Sequence, residues 1–448
     1  MKKVTIIAEG SYPQKLGGVS IWTHNLVSNL LDFEFNCISL TNGEKIIRYK
    51  SKNLKEIFWI DIGKPEKNID FVDHEITKIL TYKMLNGEEL NIKDLKNLNR
   101  FCISSPEYFN VLLDIYIKDK LDIAFSHYFW SISNYFIIVS QIARNINKML
   151  NKLFNNTDIL FSLNVGFCGI LGCSLKYKLD KPLIVSEHGI ILEEIKNLLN
   201  NSKIKKEVHK YIINIYKSMM LTTYKHCDLV TSISDFHKEH SIRNGCNPNK
   251  IKVIYTGIDT KKFVPPDKKD YSKIIVGNVS RIDSIKGTKE YVEIANYIVK
   301  RLKNIEFWHI GPIEDIKYAK EVFNLNKKYG YPVKFLGPTN DPLKFYQRIH
   351  LYLNTSLSEG LPLSVLEAQS CGVPAICSNV GACKYICYIY YNMKQDKEKY
   401  LEDLLNIFKG FTPEKIKKAS KDVRKMVVEK YDIRKMVEEY RKVFKEFS

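Results

Sequence analysis

The chain has 448 residues, of which 45% are hydrophobic and 27% are charged, and this suits two globular domains that each bury a core. Its formal net charge of +19 invites a nucleic-acid-binding interpretation, but acidic residues are interspersed with the basic ones, and no zinc-finger spacing or aromatic-rich RNA-binding pattern occurs. Ten cysteines without a Cys-x-x-Cys pair indicate a reduced protein whose thiols are mostly buried and hold no metal.

The amino-terminal residues do not resemble a secretory signal. They lead directly into Val4–Ala8, an apolar run that is too short for the core of a signal peptide. The most apolar longer region, Phe125–Ala143, is interrupted by His127 and Asn134, which makes it a poor candidate for a membrane span. We therefore expect a cytoplasmic protein, and a peripheral position at the inner face of the cell membrane stays open.

The first predicted unit of structure is a strand, a loop and a helix. Val4–Ala8 predicts a buried parallel strand, Glu9–Gly18 a loop, and the residues from Val19 to Leu31 a helix. Gly17 and Gly18 would let the backbone adopt positive φ and approach a ligand closely where the helix begins. An ordinary strand-to-helix turn that uses glycine is the alternative, since the spacing differs from both the dinucleotide-binding and the P-loop patterns.

Short apolar runs predict the other elements of the first half of the chain. Further strands are expected at Asn36–Leu40, Glu56–Ile60, Leu121–Ser126, Asp158–Leu163 and Cys227–Ser232. A helix rich in small residues is expected at Gly166–Leu175, and Ser234 would cap the helix that follows the last of these strands. Residues 45–120 are the least informative part of the sequence.

One strand of this half delivers a histidine to the edge of the predicted sheet. The apolar residues from Pro182 end in Glu187-His188-Gly189, so that His188 follows the carboxyl end of a parallel strand, where open α/β sheets bind ligands. A histidine in this position is more often structural than catalytic. The pattern makes His188 the leading candidate for a functional residue in the first half.

A stiff polar segment, Pro265–Asp270, predicts the linker between two domains. We place the first domain at residues 1–264 and the second at residues 273–431. Strands of the second domain are predicted at Ile274–Val279, Ile305–Ile310 and Val333–Leu336.

Two basic residues follow the first strand of the second domain. Arg281 and Lys286 lie five residues apart in a strand-to-helix loop, and they can converge on one diphosphate, Arg281 as a bidentate fork and Lys286 as a point charge. Two solvated side chains in a lysine-rich protein are the alternative.

The region from Leu351 to Cys377 predicts a strand, a loop, a helix and a second strand. The loop Asn354–Gly360 follows the first strand, and Pro362 stands where a first helical residue is favoured. Because the loop lies at the carboxyl end of a parallel strand, it is placed to bind a ligand. The helix ends before Val373–Cys377, the second predicted strand.

Two glutamates lie on this loop and helix. Glu359 precedes the helix, and Glu367 lies about a turn and a half inside it. The helix amino terminus between them suits a phosphate, and a carboxylate that points at the ligand accepts hydrogen bonds from sugar hydroxyls. Ordinary surface acids near a helix start are the alternative.

The residues around these glutamates resemble a known family. S-x-S-E-G-x-P-L-x-x-L-E-A-x-x-x-G-x-P resembles the E-x7-E region of the retaining glycosyltransferases of family 4, which have the GT-B fold of two Rossmann-like domains facing a cleft. The resemblance implies that Glu359 contacts the transferred sugar, that Glu367 binds the nucleotide ribose, and that Arg281 and Lys286 neutralise the leaving nucleotide. It places the backbone amides around Gly360, Leu361, Pro362 and Leu363 near the diphosphate.

The first half resembles one subgroup of that family, the glycosyltransferases of Pel exopolysaccharide synthesis. The resemblance rests on E-G-S-Y-P-x-x-x-G-G-V-S-x-W-x-H at Glu9–His24 and on the Glu-His-Gly-Ile sequence that ends at Ile190. It implies that Gly17 and Gly18 lie under the donor diphosphate and that His188 lies near the transferred sugar. It also implies that a last helix, residues 432–448, packs back on the first domain.

The implied function is the transfer of a sugar, with retention, from a nucleotide-diphosphate donor such as UDP-glucose to a glycan or lipid-linked acceptor in surface or exopolysaccharide biosynthesis. Since no Asp-x-Asp sequence occurs, we expect neither a metal nor another cofactor. A peripheral membrane or polysaccharide-synthase partner stays open, and nucleic acid is not expected.

Three alternatives remain at this stage. A sugar phosphorylase or sugar-phosphate synthase of the same fold would keep the two basic residues and use a different acceptor. A nicotinamide oxidoreductase would need a dinucleotide glycine pattern that the sequence lacks. A non-catalytic scaffold subunit would not need Glu359, Glu367, Arg281 and Lys286 together.

Overall fold

The computed structural model describes residues 1–15, 17–43, 45–63 and 72–447, and the chain divides into two compact α/β units. One unit comprises Met1–Ile254 and the end of the chain from Val437, and the other comprises Tyr255–Met436. Leu16 in the predicted glycine loop, residues 64–71 of the least informative region and Ser448 of the predicted last helix lie outside the described residues.

The first unit is built on a parallel sheet. Its strands are β1 (Lys2–Glu9), β2 (Phe33–Thr41), β3 (Leu54–Asp61), β4 (Ile159–Ser162), β5 (Leu183–Glu187), β6 (Leu229–Ser232) and β7 (Ile251–Val253). Its helices are α1 (Gly18–Asn29), α2 (His74–Asn86), α3 (Ile92–Lys96), α4 (Pro106–Lys118), α5 (Phe125–Leu153), α6 (Phe167–Leu179), α7 (Ile191–Asn200), α8 (Lys206–His226) and α9 (Asp235–Arg243). The strand order β3-β2-β1-β4-β5-β6-β7 reverses direction between β1 and β4, which opens a crevice at the carboxyl ends of these two strands.

Burial on both faces explains why the strands of this sheet are apolar runs. Val4, Ile6, Ile7 and Ala8 of β1 are fully buried, and every residue of β4 is buried as well. Helices on the two faces of a parallel sheet require such continuous apolar strands. The predicted strands at the start of the chain, at Asp158–Leu163 and before His188 are therefore present with shifts of one or two residues at their ends.

One predicted strand is wrong. Leu121–Ser126 does not form a strand, and its last two residues instead begin the long helix α5. The short apolar run in this stretch gave the strand prediction. In the structure it leads into a helix whose buried side chains recur every three to four residues, including Tyr128, Ile132, Phe136 and Val139. The longer helical period therefore decides the local structure.

The second unit is also built on a parallel sheet. Its strands are β8 (Ile274–Val279), β9 (Ile305–Ile310), β10 (Val333–Phe335), β11 (Leu351–Asn354), β12 (Ala375–Ser378) and β13 (Ile389–Tyr391). Its helices are α10 (Thr288–Val299), α11 (Ile316–Lys328), α12 (Leu343–Arg348), α13 (Leu363–Ser370), α14 (Cys383–Ile386), α15 (Lys397–Gly410) and α16 (Pro413–Lys430), and α17 (Ile433–Glu446) continues into the residues assigned to the first unit. The strand order β10-β9-β8-β11-β12-β13 reverses direction between β8 and β11. The prediction of two doubly wound parallel-sheet domains is confirmed.

The division of the chain lies after Ile254, earlier than the predicted end of the first domain at residue 264. The backbone N–H of Ile258 donates to the carbonyl of Tyr431, and the guanidinium of Arg424 donates to the carbonyls of Thr260 and Phe263 at 2.8 and 2.6 Å. The segment after β7 is therefore held by α16 and its neighbours. The proline-rich linker signal marks a surface loop of the second unit.

The end of α17 packs within the first unit. The hydroxyl group of Tyr440 lies 3.0 Å from that of Ser186 and 2.8 Å from that of Thr231, and all three side chains are buried. The ring of Phe444 contacts the rings of Phe33 and Phe161. Tyr440 therefore holds β5 and β6, and Phe444 packs against β2 and β4.

Two further sequence-based expectations concern the cysteines and a possible membrane span. All ten cysteines are free thiols, and all except Cys387 are buried. None of the helices in the described part of the chain combines the length and the apolar character that a membrane crossing needs.

We expect replacement of Arg424 by methionine to loosen the segment between β7 and Pro265. Arg424 also donates to the carbonyl of Ser370 at 2.8 Å, so the change leaves three carbonyls without their charged donor and should destabilise the second unit by roughly 2–4 kcal/mol. Hydrogen exchange of the full-length chain measures this as faster exchange of the amides of Ile258 and Phe263. The neighbouring exposed Lys425→Ala is the control, and equal exchange in the two variants would contradict the role of Arg424.

Candidate functional site

The site in the second unit lies at the point where its strand order reverses. The loop after β8, residues 280–287, and the loop after β11, residues 355–362, lie side by side because β8 and β11 are neighbours. The hydroxyl group of Thr355 donates to the carbonyl of Gly287 at 2.9 Å, and the N–H of Leu357 donates to the carbonyl of Ile285 at 2.7 Å. Pairing of the two strands thus brings the two predicted motifs together.

Gly287 makes this close contact possible. Its φ of +63° is in the left-handed region that favours glycine, and a Cβ atom at this position would lie 2.0 Å from the carbonyl oxygen of Thr355. A side chain here would separate the two loops. The close contact of the two loops therefore requires glycine at position 287, between the predicted basic residues and α10.

Lys286 and Glu359 form an ion pair. The Lys286 Nζ lies 2.8 Å from Glu359 Oε1, and the side chains are 22% and 10% exposed, respectively. The Ser356 hydroxyl donates to the same carboxylate oxygen at 2.6 Å. The structure thus brings together the predicted phosphate-binding lysine and the predicted sugar-binding glutamate, and it leaves Glu359 Oε2 without a contact among these groups.

Arg281 is placed differently from Lys286. Its side chain is 49% exposed, and its guanidinium lies 3.3 Å from Asp283 Oδ2 and 3.4 Å from Glu314 Oε1. The two bases therefore contact different carboxylates. Their predicted convergence on one diphosphate would require both to exchange these partners.

The backbone of Glu359 is fixed by the turn after β12. Gly381 has a φ of +52°, and a Cβ atom there would lie 1.7 Å from the carbonyl oxygen of Glu359. The N–H of Ala382 donates to the carbonyl of Gly360 at 3.0 Å. The turn after β12 thus contacts the backbone of this loop at two consecutive residues, Glu359 and Gly360.

The helix after this loop begins one residue later than predicted. Pro362 is the N-cap residue and not the first helical residue, and no side chain caps α13. The preceding Gly360 and Leu361 are half-buried, and Leu363 opens the helix. The first N–H groups of α13 therefore have no side-chain acceptor, as a phosphate-binding helix start requires.

Glu367 is held by a tyrosine from α12. The buried Tyr346 hydroxyl donates to Glu367 Oε2 at 2.8 Å. Burial raises the pKa of Glu367 to about 7, and the hydrogen bond from Tyr346 and the charge of Lys262 oppose this rise. The carboxyl group is therefore poised to change its charge near neutral pH.

The first unit contains a cavity at the corresponding point of its own sheet. It has a volume of about 290 Å³, and loops that follow β1, β4 and β5 form its walls. Its polar lining includes Glu9, Ser11, Asn164, Glu187, His188 and Glu194. His188 is thus where the strand prediction placed it.

His188 is a neutral imidazole in this setting. Its Nε2 lies 3.1 Å from the Ser186 hydroxyl, and its ring stands edge-on to the ring of Trp22 with 4.3 Å between centroids. Burial and the nearby His237 lower the pKa of His188 to about 3. The group can therefore exchange hydrogen bonds with a ligand, but it does not supply a positive charge at neutral pH.

The three carboxyl groups of the cavity have raised pKa values, and for Glu194 burial is the main cause and the charge of Glu193 adds to it. Burial raises the pKa of Glu9 to about 6, against a hydrogen bond from Asn164 Nδ2 to Glu9 Oε2 at 3.3 Å. Burial likewise raises the pKa of Glu187 to about 7, although Tyr224 and Ser241 donate to its oxygens.

The glycine loop differs from the prediction in one respect. Gly17 has an extended backbone with a φ of 166°, and neither Gly17 nor Gly18 is in the left-handed region, which Gly10 occupies instead. Apart from the adjacent residues and the backbone of the helix itself, no heavy atom of the described residues lies within 4 Å of a Cβ built on Gly17 or Gly18. Packing within the described chain therefore does not require glycine at these two positions.

Sequence reasoning missed several groups that shape the two sites. They are Ser356, Tyr346 and Gly381 in the second unit, and Glu9, Asn164, Glu187 and Glu194 as cavity residues in the first. The position of Glu9 and Glu187 at the carboxyl ends of strands is the same signal that identified His188. Tyr346 has no such signal, because only the packing of α12 against α13 brings it to Glu367.

The described residues contain no group of three or more His, Cys, Asp or Glu side chains that could hold a metal ion. The prediction of a metal-independent site remains a prediction.

Comparison with protein families assigns both halves of the chain. Residues 2–249 match the family described as "Domain of unknown function (DUF3492)", and residues 259–392 match "Glycosyl transferases group 1". The first match covers more than half of the chain.

Relatives with known names are glycosyltransferases. The chain is 26% identical over 295 residues to the UDP-Gal:alpha-D-GlcNAc-diphosphoundecaprenol alpha-1,3-galactosyltransferase of Escherichia coli. The matched residues are 62% of this chain and 72% of that protein. It is 24% identical over 362 residues to the N,N'-diacetylbacillosaminyl-diphospho-undecaprenol alpha-1,3-N-acetylgalactosaminyltransferase of Campylobacter jejuni, over 75% of this chain and 87% of that protein.

Solved structures with the same fold span the whole chain. Anabaena Alr3699/HepE in complex with UDP superposes with a TM-score of 0.66 at 14% identity and covers 100% of both chains. Sucrose-phosphate synthase from Thermosynechococcus elongatus gives a TM-score of 0.67 at 14% identity over 100% of this chain and 99% of that one. The predicted GT-B fold is confirmed. The chain belongs to the family described as "Domain of unknown function (DUF3492)", carries a glycosyl transferases group 1 domain, and is a glycosyltransferase.

Proposed function

We propose that this glycosyltransferase transfers a sugar, with retention, from a UDP-linked donor to a glycan or lipid-linked acceptor in surface or exopolysaccharide biosynthesis, as enzymes of family 4 and the Pel subgroup do. The observation that carries the proposal is the Lys286–Glu359 ion pair beside the uncapped start of α13. Two names support the donor and the acceptor: the E. coli relative uses UDP-Gal and a diphosphoundecaprenol-linked sugar, and the Anabaena structure holds UDP.

The donor diphosphate would bind at the carboxyl ends of β8 and β11. The first N–H groups of α13 supply hydrogen bonds, Lys286 a point charge and Arg281 a planar fork. These groups together would neutralise the leaving diphosphate without a metal ion. No other cofactor is required for this chemistry.

Donor binding would exchange the partner of Lys286. A phosphate oxygen takes the place of Glu359 Oε1, and the released carboxylate then accepts hydrogen bonds from hydroxyl groups of the transferred sugar. The Ser356 hydroxyl, which donates to Oε1, keeps the carboxylate oriented during this exchange. One ion pair thus prepares both the phosphate site and the sugar site.

Glu367 would bind the ribose of the nucleotide. Tyr346 occupies Oε2, so Oε1 accepts from the ribose hydroxyls. Since an ionised carboxylate is a better hydrogen-bond acceptor than a protonated one, the protonation state of Glu367 sets the affinity for the nucleotide.

In the reaction, the bond between the anomeric carbon of the sugar and the diphosphate breaks, and a bond to the acceptor oxygen forms on the same face of the ring. The acceptor's proton passes to the leaving phosphate. Arg281 and Lys286 stabilise the charge that develops there.

The cavity of the first unit would bind the acceptor, and the role of His188 near the transferred sugar stays a prediction. A lipid-linked acceptor would bring the enzyme to the inner face of the cell membrane.

We expect wild-type protein to bind UDP with micromolar affinity in EDTA, and Arg281→Ala to weaken binding by about 10- to 100-fold because a charged fork to the diphosphate is lost. Isothermal titration calorimetry with UDP, GDP and ADP measures this and identifies the base. Arg301→Ala, which removes an equal charge beyond the far end of α10, should bind like wild type.

Three outcomes would contradict parts of this proposal. UDP binding that needs a divalent metal ion would overturn the metal-independent mechanism. Equal affinities in wild type and Arg281→Ala would remove Arg281 from the site. A folded wild-type protein that binds none of the three nucleotides would favour a scaffold role.

The affinity for UDP-glucose should rise roughly tenfold between pH 6 and pH 8, because Glu367, with a pKa of about 7, becomes ionised over this range. UDP-glucose is the suitable probe, since its diphosphate keeps its charge across the range. Glu367→Gln should bind weakly with no pH dependence. Tyr346→Phe removes a hydrogen bond that favours the ionised form and should move the midpoint to higher pH. A flat wild-type profile would exclude Glu367 as the titrating group.

A further inference from the structure

We infer that the cavity of the first unit selects an accepting sugar that is neutral or carries an amino group, and that it excludes a sugar that carries a carboxylate or a phosphate. The inference rests on the proposed function, because it specifies the acceptor of the same reaction.

The cavity has the size and the surface of a monosaccharide site. Its volume of about 290 Å³ is just below the roughly 300–1,000 Å³ that is typical of sites for drug-sized molecules. Val19, Ile191, Ile195 and the ring of Tyr216 give it apolar walls, while carboxyl, amide and imidazole groups provide hydrogen-bonding positions. A sugar ring, with an apolar face and a rim of hydroxyl groups, matches this combination.

The charged lining has one sign. Glu9, Glu187 and Glu194 reach the cavity from three different elements, β1, β5 and α7. Among the described residues that line it there is no lysine or arginine, and His188 is neutral. An anionic ligand would therefore meet carboxylates without a compensating cation, whereas an ammonium group would find partners.

The acidic groups are fixed by the structure around them. Both oxygens of Glu187 accept hydrogen bonds, from Tyr224 and Ser241, which holds the carboxyl in place. Asn164 donates to Glu9 Oε2 and leaves Oε1 available to a ligand. A Cβ atom on Gly189 would lie 1.9 Å from Glu194 Oε1, so the glycine next to His188 makes room for this third carboxylate.

A cation is a poorer explanation of these acids than a sugar. The described residues include no cluster of three or more His, Cys, Asp or Glu side chains close enough to share a metal ion, so the carboxyl groups are spread around the cavity. Hydroxyl groups distributed around a sugar ring suit separated acceptors. Because the pKa values of Glu9, Glu187 and Glu194 are all raised, with Glu193 next to Glu194 adding to the rise there, the charge selection should be stronger at pH 8 than at pH 6.

The test compares three probes on the full-length chain at pH 8 by saturation-transfer NMR: methyl glycosides of glucosamine, glucose and glucuronic acid, repeated in the galacto series. Glucosamine titrates near this pH, so its N-trimethylated glycoside is added as a permanent cation. We expect the uronide to bind at least about tenfold more weakly than the neutral and cationic glycosides. Glu9→Gln should narrow this difference about threefold, and Glu56→Gln, which removes an exposed charge from β3, should not change it. Glu194→Gln is the second variant if Glu9→Gln does not fold.

The outcomes separate this inference from the proposed function. Uronide binding equal to that of the neutral glycoside, or the absence of binding by every glycoside, would overturn the inference. UDP titration of the same Glu9→Gln sample reports the donor site independently. If wild-type protein does not bind UDP but still binds the uronide more weakly than the neutral and cationic glycosides, the proposed function is wrong and the charge selection by the cavity is supported.

Discussion

The pairing of β8 with β11 is the constraint on which the candidate donor site depends. At their first paired positions, Val276 and Leu351, the two strands are 75 residues apart along the chain, and Gly277 pairs with Tyr352. Because β8 and β11 are neighbours at the point where the strand order reverses, the loops that follow them lie side by side at the carboxyl edge of the sheet, where a ligand can bind. The first unit repeats the same reversal between β1 and β4, where its cavity lies.

Both units thus place charge at the same topological point but with opposite sign. The second unit holds the two bases, each balanced by carboxylates, whereas the cavity of the first unit is lined by acids. An ion pair such as Lys286–Glu359 keeps two partly buried charges satisfied until a ligand replaces one partner. Burial without such a partner instead raises the pKa values of Glu9 and Glu187.

Much of this architecture could be predicted from the sequence, because buried parallel strands are continuous apolar runs and their carboxyl ends mark the sites. That reasoning found β8, His188 and the loop of Glu359. It failed at Leu121–Ser126, where a short apolar run leads into the longer helical pattern of α5. It could not find Tyr346 or Gly381, since their contacts with Glu367 and Glu359 depend on tertiary packing. Nor could it show that Lys286 pairs with Glu359 and Arg281 with other acids.

The most direct test of the account is a crystal structure of the full-length chain with UDP bound. The account predicts that the diphosphate lies at the start of α13, that Lys286 Nζ contacts a phosphate oxygen, and that its 2.8 Å contact with Glu359 is broken. The ribose should lie against Glu367. UDP bound at another place, or bound at the start of α13 with the Lys286–Glu359 pair unchanged, would contradict the exchange of partners on which the proposed mechanism rests.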